Sequence, residues 1–182
     1  MATAQAQTTI PSGTWKSDPV HSSVGFSVKY AGVGTFRGAF GRHEATLGAT
    51  DGEPRLSGLA RVESVEVRDE NLYGHLLSPE FFDAERHPEI SFVSREIRTD
   101  GDGIVVVGDL TIKGETSSVE ARGSISAPVE HMSGGQRIGL DLEATVDRTE
   151  FGMNWNAELP AGGFALADEV TLRIHLVLRK DE

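Results

Sequence analysis

The chain has no cysteine. That excludes a disulfide framework, a zinc–thiolate site and a thiol nucleophile. No apolar run approaches the roughly 20 residues that a membrane-spanning helix needs, so no transmembrane segment is expected. The net charge is −11, and no cluster of lysine or arginine interrupts it. A nucleic-acid footprint or an attraction to anionic lipid would require such a cluster, so neither partner is expected. No two of the six histidines stand at the i, i+2 or i, i+4 spacing that pairs imidazoles for a metal, and no metal is expected. Gly32-Val33-Gly34 is too short for a phosphate loop and runs into a strand pattern, not a helix. The opening MATAQAQTTIPSGTW has no basic n-region and no apolar h-region, so no secretory signal is expected. Residues 1–12 read as a flexible tail and residues 13–182 as one domain.

What the chain does have is alternation. Val24, Phe26, Val28 and Tyr30 alternate with Gly25, Ser27 and Lys29, the pattern of a half-buried strand. Thr35–Leu47 reads as a long second strand with Phe36, Gly38 and Phe40 on one face, and Arg55–Val67 as a third. Further runs cover Glu89–Ile97, Ile104–Ile112, Ser117–Ile125, the alternation from Ile138 to Val146, and the last strand through Val170 and Leu178. Asp-Gly turns between β-branched runs are hairpin signals. Asp147–Ala167 has no period. Hairpin spacing without βαβ alternation predicts an all-β antiparallel sheet of about eight strands, a number that closes into a barrel. A two-sheet sandwich satisfies the same periodicity.

One stretch departs from this pattern. Within Arg68–Phe92, Leu72, Leu76 and Leu77, with Phe81 and Phe82 beyond, fall at helical spacing. Asp69 is the expected N-cap, and Pro79 ends or kinks the turn. A short helical segment near residues 69–83 is therefore expected to plug the end of the curled sheet.

Chemistry-bearing residues are sparse. Asp18, His21 and Ser22 suggest a hydrolase acting on a lipid or small ester. Yet adjacent His21 and Ser22 on a strand point to opposite faces, and a turn satisfied by Asp18 and Ser22 is the simpler reading. What dominates is an apolar set that can share one interior: Phe26, Val28, Phe36, Phe40, Leu76, Phe81, Phe82, Phe92, Leu110 and Phe164. Alternation does not distinguish a filled core from the wall of a cavity, and eight strands can be solid inside.

Asp18-Pro19-Val20-His21-Ser22-Ser23-Val24-Gly25-Phe26 resembles the opening of the YceI-like, polyisoprenoid-binding family. So do Gly38-Ala39-Phe40 and the segment HLLSPEFFDAERHPEISF from His75 to Phe92. Gly108–Thr116 and Arg148-Thr149-Glu150-Phe151-Gly152-Met153 complete the set, in the family's order. The family often has histidine where Tyr30 stands. The resemblance implies a lipocalin-like extended eight-stranded barrel whose lumen holds an isoprenoid lipid, of quinone or polyprenyl type, for storage or transport. It implies no catalysis and no cofactor, and the chain resembles the cytoplasmic branch. The apolar set then becomes a lining, with one of Phe81 and Phe82 expected to turn elsewhere. His21 and Arg148 are candidate polar contacts near a mouth, with a structural hydrogen bond as the alternative for each. Exposed strand faces could pair two copies into a homodimer.

Overall fold

The computed structural model describes residues 8–181. Its strands are β1 (Gly13–Ser17), β2 (Ser23–Tyr30), β3 (Gly34–Phe40), β4 (His43–Ala49), β5 (Arg55–Arg61), β6 (Val65–Glu66), β7 (Glu89–Asp100), β8 (Gly103–Ile112), β9 (Glu115–Ile125), β10 (Val129–Glu130), β11 (Gln136–Asp147) and β12 (Leu166–Lys180). Among the described residues a single α-helix, α1 (Glu70–Leu77), lies between β6 and β7. All pairings are antiparallel. No helix among the described residues is long and apolar enough to cross a membrane.

The sheet closes on itself. β12 pairs with β11 from Val170 through Leu178 and beyond at both ends. Its other edge takes β2 and then β1. From β11 the ring runs through β9, β8, β7, β5, β4 and β1 back to β12. β2, β3 and β6 extend β1, β4 and β5 as second halves of the same three staves. Eight antiparallel staves therefore form the expected lipocalin-like barrel.

Two staves differ from the sequence reading. The long strand over Thr35–Leu47 breaks at Gly41 and Arg42, and that over Arg55–Val67 breaks at a short 3-10 turn, Val62–Ser64. The breaks face each other. Gly41 N–H donates to the Ser64 carbonyl (2.9 Å), Arg42 N–H to Ser64 Oγ (3.0 Å), and Arg61 N–H to the Arg42 carbonyl (2.9 Å). A corner made by bonds between residues about 20 apart has no local sequence signal.

The first stave turns its corner at Asp18–Ser22. Asp18 Oδ1 accepts from Val20 N–H (3.0 Å), and Oδ2 accepts from His21 Nδ1 (3.0 Å). Ser22 Oγ accepts from Val177 N–H (3.0 Å) and donates to the Val177 carbonyl (3.3 Å), tying the corner to β12. The hydrolase reading needs that hydroxyl against the His21 ring. Here β12 holds it.

The His21 hydrogen bond, reinforced by Val20 N–H, holds the Asp18 carboxyl below the usual carboxylate range against a smaller opposing effect of burial. The stability this adds is fully present above the unfolded carboxyl's pKa of about 4, and is lost as pH falls through the depressed folded value. A partly exposed pair of this kind contributes about 0–1 kcal/mol. Urea midpoints for wild type and Asp18→Asn should therefore differ by a small, constant amount at neutral pH and converge once the pH has fallen through the depressed folded value. A difference that persists in acid would remove the charge from the account.

The core has two parts. At the end holding β1 and the β7–β8 turn, Trp15, Leu47, Ile138, Leu140 and Leu178 are at most 2 % exposed and pack into a solid floor with Ile104 and Val106. Trp15 Nε1–H reaches the Pro11 and Ser12 carbonyls (3.3 and 3.2 Å), and Ile10 packs on the cluster. Of the tail expected over residues 1–12, residues 1–7 lie outside the described residues. The other end of the barrel holds α1 and is not filled.

Candidate binding site

α1 forms where the apolar spacing placed it. Asp69 Oδ1 accepts from Leu72 N–H (2.9 Å), and the helix ends at Ser78, before Pro79. Tight turns follow: Phe81 N–H donates to the Ser78 carbonyl and Phe82 N–H to the Leu76 carbonyl (both 3.0 Å). Lys113, in the β8–β9 turn, clamps this segment by donating to the carbonyls of Pro79 (2.5 Å) and Gly152 (3.2 Å).

Above the floor the barrel encloses a cavity of about 870 Å³. That lies in the upper part of the roughly 300–1,000 Å³ range of small-molecule sites. The lining comes from the inward positions of the staves, with neighbours such as Glu44 and Ser57, from α1 and from residues 148–166, while Trp15, Leu47, Ile138, Leu140 and Leu178 lie outside it. One half of the barrel is thus a packed core and the other half a bore.

Aromatic rings make up much of the wall. Phe26 lies 6.0 Å from Phe36, 5.7 Å from Phe40 and 6.4 Å from Phe82, and Phe40 lies 5.7 Å from Phe82 between ring centroids. Gly38 makes room for this cluster, since a Cβ there would fall 2.5 Å from the Phe26 ring. Phe92, paired with Leu110 across β7–β8, lies over Gly108 in the same way, at 2.6 Å from a Cβ. Val28 and Leu76 complete the part of the wall that the sequence reading named.

Phe81 and Phe82 both face the bore, against the expectation that one must turn away. Neither lies in a regular element, so no alternation separates them. Phe81 joins a second aromatic group, 4.8 Å from His75 and 5.6 Å from Trp155. His75 and Trp155 are 4.7 Å apart, and His75 Nε2 meets Glu80 Oε2 at 2.5 Å.

Two of the expected residues lie elsewhere. Phe164 is 60 % exposed and is not part of the lining. Residues 158–164 form a small hairpin with Glu158 bridged to Phe164 and a tip at Gly162-Gly163, both at positive φ. That hairpin leaves Phe164 on the outside and turns Ala165 inward. His21 stands at the outer corner on Asp18, also away from the lining.

Arg148 is in the wall and 4 % exposed. Nε donates to the Ala167 carbonyl (2.9 Å), and Nη1 to those of Met153 (2.7 Å) and Trp155 (2.8 Å). Nη2 makes no hydrogen bond. It stands 3.5 Å from Asp168 Oδ1, a loose pairing of charge without a directed bond. Arg148 is the only cationic residue in the lining among the described residues.

His43, His75 and Trp155 line the bore, and none of them is in the lining that the sequence predicts. Only His43 left a usable signal, since it is two and four residues from Ala45 and Leu47 on a strand whose inner face they mark.

The model of the YceI-like domain matches residues 15–178. The chain belongs to the YceI-like family. Among relatives of this YceI-like protein, a UPF0312 protein of Staphylococcus epidermidis is 34% identical over 160 residues, covering 84% of this chain and 90% of that protein. A UPF0312 protein of Staphylococcus aureus is 32% identical over the same length and coverage. BcnA of Burkholderia cenocepacia superposes with a TM-score of 0.73 at 25% identity, over 88% of this chain and 98% of BcnA. A polyisoprenoid binding domain from Saccharophagus degradans, implicated in plant cell wall breakdown, superposes with a TM-score of 0.67 over 92% of this chain and 98% of that one. Its 12% identity extends the likeness to the YceI-like fold alone.

Proposed function

We propose that this YceI-like protein binds a long-chain isoprenoid lipid, of quinone or polyprenyl type, in the bore and stores or carries it without chemical change. The observation that carries this reading is the bore itself: about 870 Å³, walled by phenylalanine and aliphatic side chains, above a packed floor. At about 30 Å³ per heavy group, the share of a water molecule in the liquid, 870 Å³ takes close to 29 groups, or nearly six isoprene units. Each buried methylene contributes about 0.8 kcal/mol, so such a tail has a strong drive to leave water before ordering costs are met. Membership in the family and the likeness to a polyisoprenoid binding domain support the same class of ligand. Phe26, Phe40 and Phe82 on one side, with Phe92 and Leu110 on another, are the proposed contacts. A cytoplasmic location and pairing of two copies belong to the same proposal.

Organic extraction of protein purified from a host that makes quinones should release an isoprenoid lipid detectable by mass spectrometry. Ala144→Trp fills the bore from β11, where Ala144 is buried on the inner face. That variant should keep its circular dichroism spectrum and yield no lipid. Wild-type protein that releases none, or a variant that releases as much, overturns the carrier reading.

A further inference from the structure

Large hydrophobic side chains exposed one at a time are ordinary on a protein surface, and Val20 and Val93 are of that kind. Tyr30, Val33 and Phe164 are not single. They are 54 %, 91 % and 60 % exposed, and they stand on two adjoining tips. Tyr30 and Val33 belong to the β2–β3 turn, and Phe164 to the hairpin of residues 158–164. Ala31 N–H donates to the Ala165 carbonyl (2.7 Å), and Tyr30 is in register with Leu166.

Both tips have ordered backbone. Val33 N–H closes the first on the Tyr30 carbonyl (3.1 Å), with Ala31 and Gly32 at positive φ. In the second, Leu159 N–H donates to the Gly163 carbonyl and Gly162 N–H to the Leu159 carbonyl (both 2.9 Å). Residues 30–35 and 159–167 contain no charged side chain, in a chain that is 25% charged. Both tips also border the bore. Tyr30 continues the inward row of Val24, Phe26 and Val28, and it lines the cavity with Gly34 and Thr35 from its own tip. Ala157 and Ala165 line it at the base of the other.

We propose that these two tips are a docking surface for a bilayer of zwitterionic lipid. That the seated protein exchanges cargo with the bilayer rests on the carrier reading given above. Area favours a bilayer over a second copy of the chain. Aromatic side chains bury about 150–250 Å² each, so at these exposures the three offer on the order of 300–400 Å². A stable pairing needs roughly 800 Å² from each partner. A bilayer interface takes aromatic and aliphatic side chains one by one. Charge selects the lipid: at −11 the chain is repelled by an anionic surface, whereas the uncharged tips meet a zwitterionic one without a desolvation cost for ions.

The test is sedimentation of the full chain with phosphatidylcholine vesicles. Wild type should bind, and equally well at about 0.1 M and about 1 M salt, since screening does not weaken apolar contact. Val33→Ser with Phe164→Ser should bind at least tenfold more weakly and keep its circular dichroism spectrum, because both side chains are exposed. Met132→Ser, 98 % exposed in the turn before β11 at the floor end, should bind as wild type does. No binding by wild type overturns the proposal. So does equal binding by the double variant, an equal loss in Met132→Ser, or binding that requires phosphatidylserine. Self-association of wild type that the double variant loses, without vesicle binding, assigns the tips to a second copy and overturns it as well. Protein that sediments with vesicles yet yields no lipid on extraction supports the docking surface and overturns the carrier reading.

Discussion

Arg148→Met should lower the Tm by roughly 6–20 °C and release residues 153–167. The guanidinium is buried and holds three backbone carbonyls, those of Met153 and Trp155 in a stretch without regular structure and that of Ala167 at the start of β12. Methionine fills part of the volume but leaves those carbonyls unpaired. Hydrogen bonds to charged groups contribute about 1.5–3 kcal/mol each, and breaking a buried charged cluster costs about 3–5 kcal/mol in all. For a chain of 182 residues, each kcal/mol moves Tm by about 2–4 °C. Asn156 ties the same stretch to β12, accepting from Leu166 N–H (2.9 Å) and donating to its carbonyl (2.7 Å). That second tie stays in place, so the loss should be local before it is global. Thermal unfolding gives the first number, and amide exchange across residues 153–167 gives the second. Arg148→Lys should recover part of the loss, because a single ammonium cannot reproduce the planar fork. A Tm within about 2 °C of wild type would mean that water replaces the guanidinium.

Trp15→Ala should cost about 3–5 kcal/mol, and Phe26→Ala markedly less. Both rings are large, and both lie inside the barrel. Trp15 is fully buried in the floor, with its indole N–H on two carbonyls and Lys180 Nζ 5.7 Å from the ring centroid. Removing it opens a void in packed material. Phe26 is half-buried and faces space that is already open. A ring with no partner atoms on one side gives up fewer contacts when it is removed. Urea midpoints and slopes for the two variants measure the difference. Equal losses would mean that the wall of the bore packs as tightly as the floor.

Strands with strict alternation were legible because a two-residue period is local. Val24 through Val28 and the run through Leu178 needed only their own residues to be placed. The helical turn was legible for the same reason, with Asp69 and the leucines fixing its start and face. The breaks at Gly41-Arg42 and Val62–Ser64 were not, because each is held by the other stave. Phe164 was misplaced because a hairpin in an aperiodic stretch decides its direction. Arg148 was noticed through its motif, although its three carbonyl partners come from up to 19 residues away. The hollow itself left no trace in the alternation. Leu47 and Ala45 share one face and one period, yet one meets packed neighbours and the other meets open volume. That difference lies in the summed sizes of residues on several strands.

The solid floor has a kinetic meaning as well. A tube sealed below cannot be flushed from one end to the other. Arrivals and departures share the half of the barrel above the floor, and a second molecule must queue until the first has gone. Turnover of the bound molecule should then run at the rate of its own escape, however much competitor waits outside.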